Sequence, residues 1–216
     1  MNSTSLCLLA VILFVVTCLG CHRAGTPQSK LAIIQTDYES ERAAIVSAVI
    51  REMYVDDRTQ LLVIEHEDPC PPAEPNESPD PEVTHMRQQI EDHAFQNLPN
   101  LSRETIDDFH GRTKQCHHLA NKLDVPVKYV LVGSKDLEPL FPKRGVDRGW
   151  DRFYAKYANS SGIIQFSNPG FNRDYTQSVV STGRWCGGLC GAGYFLLLTK
   201  QGGAWRVATK VGTWVS

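Results

Sequence analysis

Apolar and polar residues alternate along the last quarter of the chain, between residues 162 and 216, and pairs of glycines interrupt the alternation. In the clearest case an apolar run at 196–198 is followed by Gly202 and Gly203, and alternation resumes over 205–211. A two-residue turn between antiparallel strands needs positive φ at both positions, which glycine adopts at little cost. The pattern therefore predicts a hairpin within an antiparallel meander. The expected cross-strand pairs are Trp205 with Lys200 and Val207 with Leu198.

A second hairpin is predicted just before the first. A strand over 176–184 is followed by Cys186, then by Gly187-Gly188-Leu189, then by Cys190. If the three intervening residues form the loop, the two cysteines face each other at its mouth, where a cross-strand disulfide fits. A reactive dithiol is the alternative, but the spacing is C-x-x-x-C and the βαβ context of a thioredoxin-like site is missing. We therefore predict a structural disulfide between Cys186 and Cys190.

Helical spacing of apolar residues dominates the first two thirds of the chain, with short apolar runs that indicate strands. One helix is expected to begin at a Ser102 cap and to carry a single apolar face. That face is predicted to consist of Ile106, Phe109, Cys116, Leu119 and Leu123. The other predicted helices cover about 38–54, 82–97, 134–141 and 149–157, and the upstream strands cover 60–65 and 127–132. Together these elements predict an α+β fold, with N-terminal helices packed on a C-terminal antiparallel β-meander sheet.

The N-terminus has the pattern of an export signal. Residues 6–19 are apolar apart from Thr17, and a membrane-spanning helix needs about 20 such residues. The stretch therefore predicts a signal peptide over 1–20. Cys18-Leu19-Gly20-Cys21 is similar to a bacterial lipobox, except that a cysteine stands where leucine is usual. We expect acylation of Cys21 and membrane attachment through this anchor, with cleavage nearby or an uncleaved anchor as alternatives.

The domain organisation follows from that processing. Residues 21–35 are predicted to be a tether and 36–216 a single α+β domain, located on the periplasmic side of the cell envelope or secreted. An acidic, proline-rich stretch at 67–82 is predicted to be an exposed loop, because proline removes backbone donors and favours extended chain. Docking of a proline-binding partner to that loop is the alternative.

Composition limits the classes of partner. The chain has 216 residues, of which 42% are apolar, enough for one core, and its formal net charge is −2. A nucleic-acid-binding domain normally carries a basic patch. The nearest equivalent, Lys143-Arg144 with Arg148, is better explained as a solvated loop, so no nucleic-acid partner is expected.

The cysteines and histidines offer two further hypotheses. If Cys21 is acylated, the cysteines that remain free to pair are Cys70, Cys116, Cys186 and Cys190, an even set that suits an oxidising compartment. Proximity favours a second disulfide between Cys70 and Cys116. Cys116, His117 and His118, with His66 and Cys70, also raise the alternative of a metal-binding periplasmic protein. Adjacent histidines on a helix point about 100° apart, so we assign no metal site and no cofactor.

One polar loop is a candidate for ligand contact. Ser167, Asn168, Asn172 and Asp174 lie in the segment FSNPGFNRD. A hydrolase using Ser167, Asp174 and one of His110, His117 or His118 is one hypothesis. The same residue types also form turns by bonding to nearby backbone groups. No G-x-S-x-G, P-loop or G-x-G-x-x-G motif accompanies the loop, so no catalytic residue is assigned.

With these motifs assembled, the C-terminal third resembles a group of uncharacterised exported bacterial domains. Their pattern is an aromatic-rich helix, G-x-x-x-F-S-x-x-G-F-N, C-x-x-x-C-G-x-G and a terminal tryptophan-rich hairpin. The matching residues are Trp150, Phe153, Gly162, Phe166, Ser167, Gly170, Phe171, Asn172, Cys186, Cys190, Gly191, Gly193, Trp205 and Trp214. The resemblance implies no established activity. The sequence therefore predicts a non-catalytic, lipid-anchored envelope domain that binds a protein or a small ligand.

Overall fold

The computed structural model of the chain describes residues 27–66, 80–115, 118–119, 121–141 and 146–216. The predicted signal peptide, Cys21, Cys70, Cys116 and His117 lie outside the described residues, as does the proline-rich loop up to residue 79. The helices are α1 Pro27–Met53, α2 Pro81–Gln96, α3 Arg103–Arg112, α4 Ser134–Leu137 and α5 Val146–Lys156. The strands are β1 Leu61–Glu65, β2 Lys128–Val132, β3 Ser160–Phe166, β4 Gly170–Phe171, β5 Gln177–Trp185, β6 Gly191–Gln201 and β7 Ala204–Val215.

Within these residues the strands form one sheet in the order β2-β1-β3-β5-β6-β7, with β4 paired to β5. The predicted antiparallel meander is confirmed for β5, β6 and β7. The sheet as a whole is mixed, however, because β1 pairs in parallel with both β2 and β3. Parallel neighbours need a crossover connection, and the chain between β1 and β2 contains α2 and α3. A purely antiparallel sheet was therefore the wrong prediction.

The predicted hairpin between β6 and β7 is confirmed. Trp205 pairs with Lys200 and Val207 pairs with Leu198. Gly202 and Gly203 have φ of 57° and 83°, the left-handed conformation that the turn requires. The register is therefore the one that places Val207 and Leu198 on the same face of the sheet.

α1 covers one face of the sheet. Its buried residues pack on alternate positions of the strands, which all point to that side. The helix contributes Tyr38, Ile45, Val46, Ala48, Val49 and Ile50, and the sheet contributes Leu62, Ile64, Ile164, Val180, Leu196 and Leu198. The helix begins at Pro27, so its first turns fall within the segment predicted to be a tether.

Two separate helical groups cover the opposite face. α2 and α3 pack on the antiparallel strands, where Phe109 contacts a cluster containing Val179, Phe195 and Leu197. α5 packs on the parallel strands, where Phe153 joins Val63, Val132 and Ile163. The strand positions between the two groups are left uncovered by either, and the candidate site lies there.

α3 ends at Arg112, although apolar spacing predicted a helix that continues to Leu123. The Asn168 amide donates to the carbonyl oxygens of Arg112 and Gln115, both at 3.1 Å, and so satisfies groups at the helix end. The backbone of Leu119 then bonds to His66 at 3.0 Å. Leu119 and Leu123 are buried as predicted, but they reach the α1 side of the core from non-helical backbone.

Candidate binding cleft

A cleft of about 610 Å³ opens over the uncovered part of the sheet. Its floor is formed by strand residues that include Gln165, Ser181, Trp185 and Trp214. One wall is formed by α2, and Glu65 at the end of β1 also lines the cleft. Cavities of this size accommodate small ligands, so this is the candidate site.

Glycines explain how Trp214 comes to form the floor. A Cβ on Gly193 would lie 1.9 Å from Nε1 of Trp214, and a Cβ on Gly183 would lie 3.0 Å from Cζ2 of the same ring. The indole therefore lies flat against backbone that has no side chains. Trp185 stacks on Trp214, with ring centroids 4.3 Å apart and an interplanar angle of 28°. The result is a two-ring aromatic platform at the floor of the cleft.

Hydrogen bonds hold the outer ring of this platform in place. Nε1 of Trp185 donates to Oε1 of Gln165 at 2.8 Å. The amide nitrogen of Gln165 in turn donates to a carboxylate oxygen of Glu65. An indole, an amide and a carboxylate are thus linked across β5, β3 and β1.

The α2 wall carries exposed apolar side chains. Residues 81–89 are all exposed, and the helix docks only through its last two turns, where Ala94 is fully buried. Val83 and Met86 line the cleft with 45% and 54% of their surfaces exposed, and Trp185 is 40% exposed. Among the described residues, the first half of α2 therefore stands beside the sheet with the cleft between them.

A carboxyl group and an imidazole meet where Glu91, which lines the cleft, approaches α3. Oε2 of Glu91 lies 3.4 Å from Nε2 of His110, which connects α2 to α3. Burial raises the pKa of Glu91, while the charges of His110 and Arg87 act in the opposite direction. The His110 ring packs against Phe95 and Phe109, with centroids 5.8 and 5.9 Å away.

The structure divides the predicted ligand-facing loop into two parts. Ser167 and Asn168 line the cleft. The Ser167 hydroxyl accepts a hydrogen bond from the backbone amide of Ser181 at 2.9 Å and donates one to the backbone carbonyl of Asn168 at 3.2 Å. Both of its bonds are therefore to backbone groups. Asn172 accepts from the amides of Thr176 and Gln177, both at 2.9 Å, and so makes the turn before β5, in which Asp174 is exposed.

The predicted disulfide is present between Cys186 and Cys190. The loop between them contains Gly187, Gly188 and Leu189, and the Cys186 amide donates to the Cys190 carbonyl at 2.8 Å. The bridge closes the hairpin directly after Trp185. The disulfide therefore adjoins the strand end that carries the outer ring of the platform.

Of the metal-site candidates, the rings of His66 and His118 lie 5.7 Å apart. Within the described ranges, no group of three or more histidine, cysteine or acidic side chains is arranged to hold a metal ion. Among the same residues, no helix combines the length and apolar character that crossing a membrane requires.

Comparisons with protein-family models, with curated proteins and with solved structures find no match to this chain. The site therefore rests on its own geometry. Sequence reasoning named Ser167, Asn168 and Trp214 but did not assemble the cleft, and it missed Glu65, Gln165 and the α2 side chains. A usable signal was the tryptophan at 214 paired with the glycine-rich stretch at 191–193, since bare strand backbone is where a large ring can lie flat.

Proposed function

We propose that this chain is an exported, lipid-anchored envelope domain with a non-catalytic role, and that it binds a ligand in the cleft between α2 and the sheet. One observation carries the proposal. Three of the exposed large apolar side chains, Val83, Met86 and Trp185, line the same cleft. Apolar surface gathered in one concavity is the usual mark of a binding site, whereas scattered apolar side chains need no explanation.

A binding role agrees with the hydrogen bonding at the floor. The Ser167 hydroxyl bonds only to backbone groups nearby, and Asp174 lies in the turn that follows β4. A nucleophilic serine needs a base within hydrogen-bond reach of its oxygen. Of the candidate bases that the structure describes, His110 lies beside Glu91 and the ring of His118 lies beside that of His66. These contacts favour binding over the hydrolase alternative.

The binding role is tested by a ligand screen on the isotope-labelled full-length chain. A panel of small amphipathic compounds, cationic, neutral and anionic, is added while the four tryptophan indole N–H signals are followed by NMR. We expect compounds from the panel to shift the signals of Trp185 and Trp214. Trp205, whose ring is buried on the α1 side, serves as an internal control.

Matched variants locate the binding. Met86→Gln removes an apolar wall residue and is expected to weaken binding several-fold. Leu189→Gln is the control, because Leu189 is 93% exposed but does not line the cleft. If no compound shifts Trp185 or Trp214, or if both variants weaken binding equally, the cleft is not the binding site.

The anchor is tested separately. We expect intact mass spectrometry of protein from its native membrane to give a chain that starts at an acylated Cys21, with a mass that rises on reduction of two disulfides. Cys21→Ser should release the protein from the membrane fraction. An unlipidated mature chain would remove the anchor from the proposal without affecting the cleft.

A further inference from the structure

The charged side chains described in the cleft include more carboxylates than cations. Among the described residues that line it, the charged side chains are Glu65, Arg87 and Glu91. The charges of Arg87 and His110 both act on Glu91. Glu65 has no ion-pair partner in the described part of the chain, and its carboxylate bonds instead to the uncharged amide of Gln165. Among the described residues that line the cleft, Glu65 is therefore the carboxylate without a cationic side chain beside it.

That carboxylate lies beside the aromatic platform. Gln165 bonds to Glu65 and to Trp185 at once, so the amide fixes the distance between the negative charge and the exposed indole. The faces of tryptophan rings attract cations through their quadrupole. Glu65 and Trp185 therefore both attract cations, Glu65 through its negative charge and Trp185 through the face of its ring.

The apolar side chains of α2 determine which kind of cation the cleft can accommodate. Val83 and Met86 of α2 present exposed apolar surface to the cleft that Trp185 also lines. A metal ion or bare ammonium would lose its hydration there without enough oxygen ligands in exchange. An ammonium carrying alkyl substituents buries those substituents against apolar surface and keeps its charge next to Glu65.

We propose that the cleft binds a small organic cation, an alkylated ammonium compound in free solution, seated between Trp185, Glu65 and the apolar side chains of α2. This inference rests on the proposed binding function and names its ligand class. Glu65 supplies the charge, Trp185 supplies the exposed aromatic face with Trp214 stacked beneath it, and Gln165 is a positioning residue.

The test compares choline with 3,3-dimethylbutan-1-ol, a neutral compound of the same shape. Each is titrated into the full-length chain at constant ionic strength while the indole N–H signals are recorded. We expect choline to shift the signals of Trp185 and Trp214 and to bind at least fivefold more tightly than the alcohol, which corresponds to about 1 kcal/mol. Glu65→Gln should remove most of that preference, whereas Glu52→Gln, an exposed change on α1, should leave it unchanged.

The outcomes separate this inference from the binding function. Equal affinity for choline and the alcohol, or full choline preference in Glu65→Gln, overturns the cation inference while the cleft remains a binding site. If choline has no effect but neutral or anionic compounds from the wider panel shift the indole signals, the cation inference alone fails. If no compound shifts them, both proposals fail.

Discussion

Trp214 lies flat on Gly193, so closely that a methyl group on that glycine would stand 1.9 Å from the indole nitrogen. The two residues are cross-strand neighbours in β6 and β7. Because no real Cβ tolerates such a contact, Trp214 can occupy this position only when residue 193 is glycine. The stacking of Trp185 on Trp214 depends on the same glycine.

Gly193→Ala is therefore expected to displace Trp214 and to cost about 1 to 3 kcal/mol of unfolding free energy, the usual range for overpacking. Urea unfolding measures the loss, and near-ultraviolet circular dichroism reports the broken indole stack. Gly188→Ala is the matched control, because nothing lies within 4 Å of a Cβ at that position. An unchanged dichroism spectrum for Gly193→Ala would contradict the packing described.

Removing the Cys186–Cys190 bridge by a double serine substitution is expected to lower the unfolding free energy by about 2 kcal/mol. The cysteines are four residues apart, and the chain-entropy gain from so short a loop is at the low end of the range for disulfides. Urea unfolding of the variant and of the oxidised parent measures the difference. A loss above about 4 kcal/mol would mean that the bridge supports more than its own hairpin.

Asn168→Ala is expected to cost about 1 to 2 kcal/mol, because the carbonyl groups of Arg112 and Gln115 each lose a hydrogen bond from a buried amide, although Arg112 keeps its bond from the Gln115 backbone. Binding of the compound panel, corrected for stability, should persist. Asn172→Ala, which removes the acceptor for two turn amides, serves as a comparison at a more exposed site. If Asn168→Ala keeps its stability but loses binding, the ligand-contact role predicted from sequence is the correct one.

Alkaline pH should destabilise the protein through Tyr54. Burial raises the pKa of Tyr54 from 10.0 to about 12, partly offset by its hydrogen bond to Thr182. Between those values the unfolded chain loses the phenol proton while the folded chain keeps it, so stability is fully present below pH 10 and is lost as the pH approaches 12. The expected contribution is about 2 to 3 kcal/mol. Unfolding free energies of the parent should fall more steeply over this interval than those of Tyr54→Phe, and parallel curves would contradict the assignment.

Local patterns in the sequence predicted the parts of the fold that depend on local chemistry. Gly202 and Gly203 set the turn and the register of the last hairpin, and Ser102 accepts from the Thr105 amide as the N-cap of α3. The three residues between Cys186 and Cys190 have the length of a hairpin loop, which is why the disulfide across its mouth could be predicted. Each of these features is decided within a few residues, where backbone conformation and side-chain period act directly.

The features that join distant segments of the chain were decided only by the tertiary structure. Strand β1 reads as the same apolar run whether its neighbours are parallel or antiparallel, and only its pairing with β2 and β3 makes the sheet mixed. At the end of α3, the Arg112 carbonyl accepts a hydrogen bond from Asn168, more than fifty residues away. The cleft likewise joins Glu65, α2, Gln165 and Trp185 from separate elements. The sequence shows which of these side chains are charged or apolar, but the distances between them are set by the packing of elements far apart in the chain.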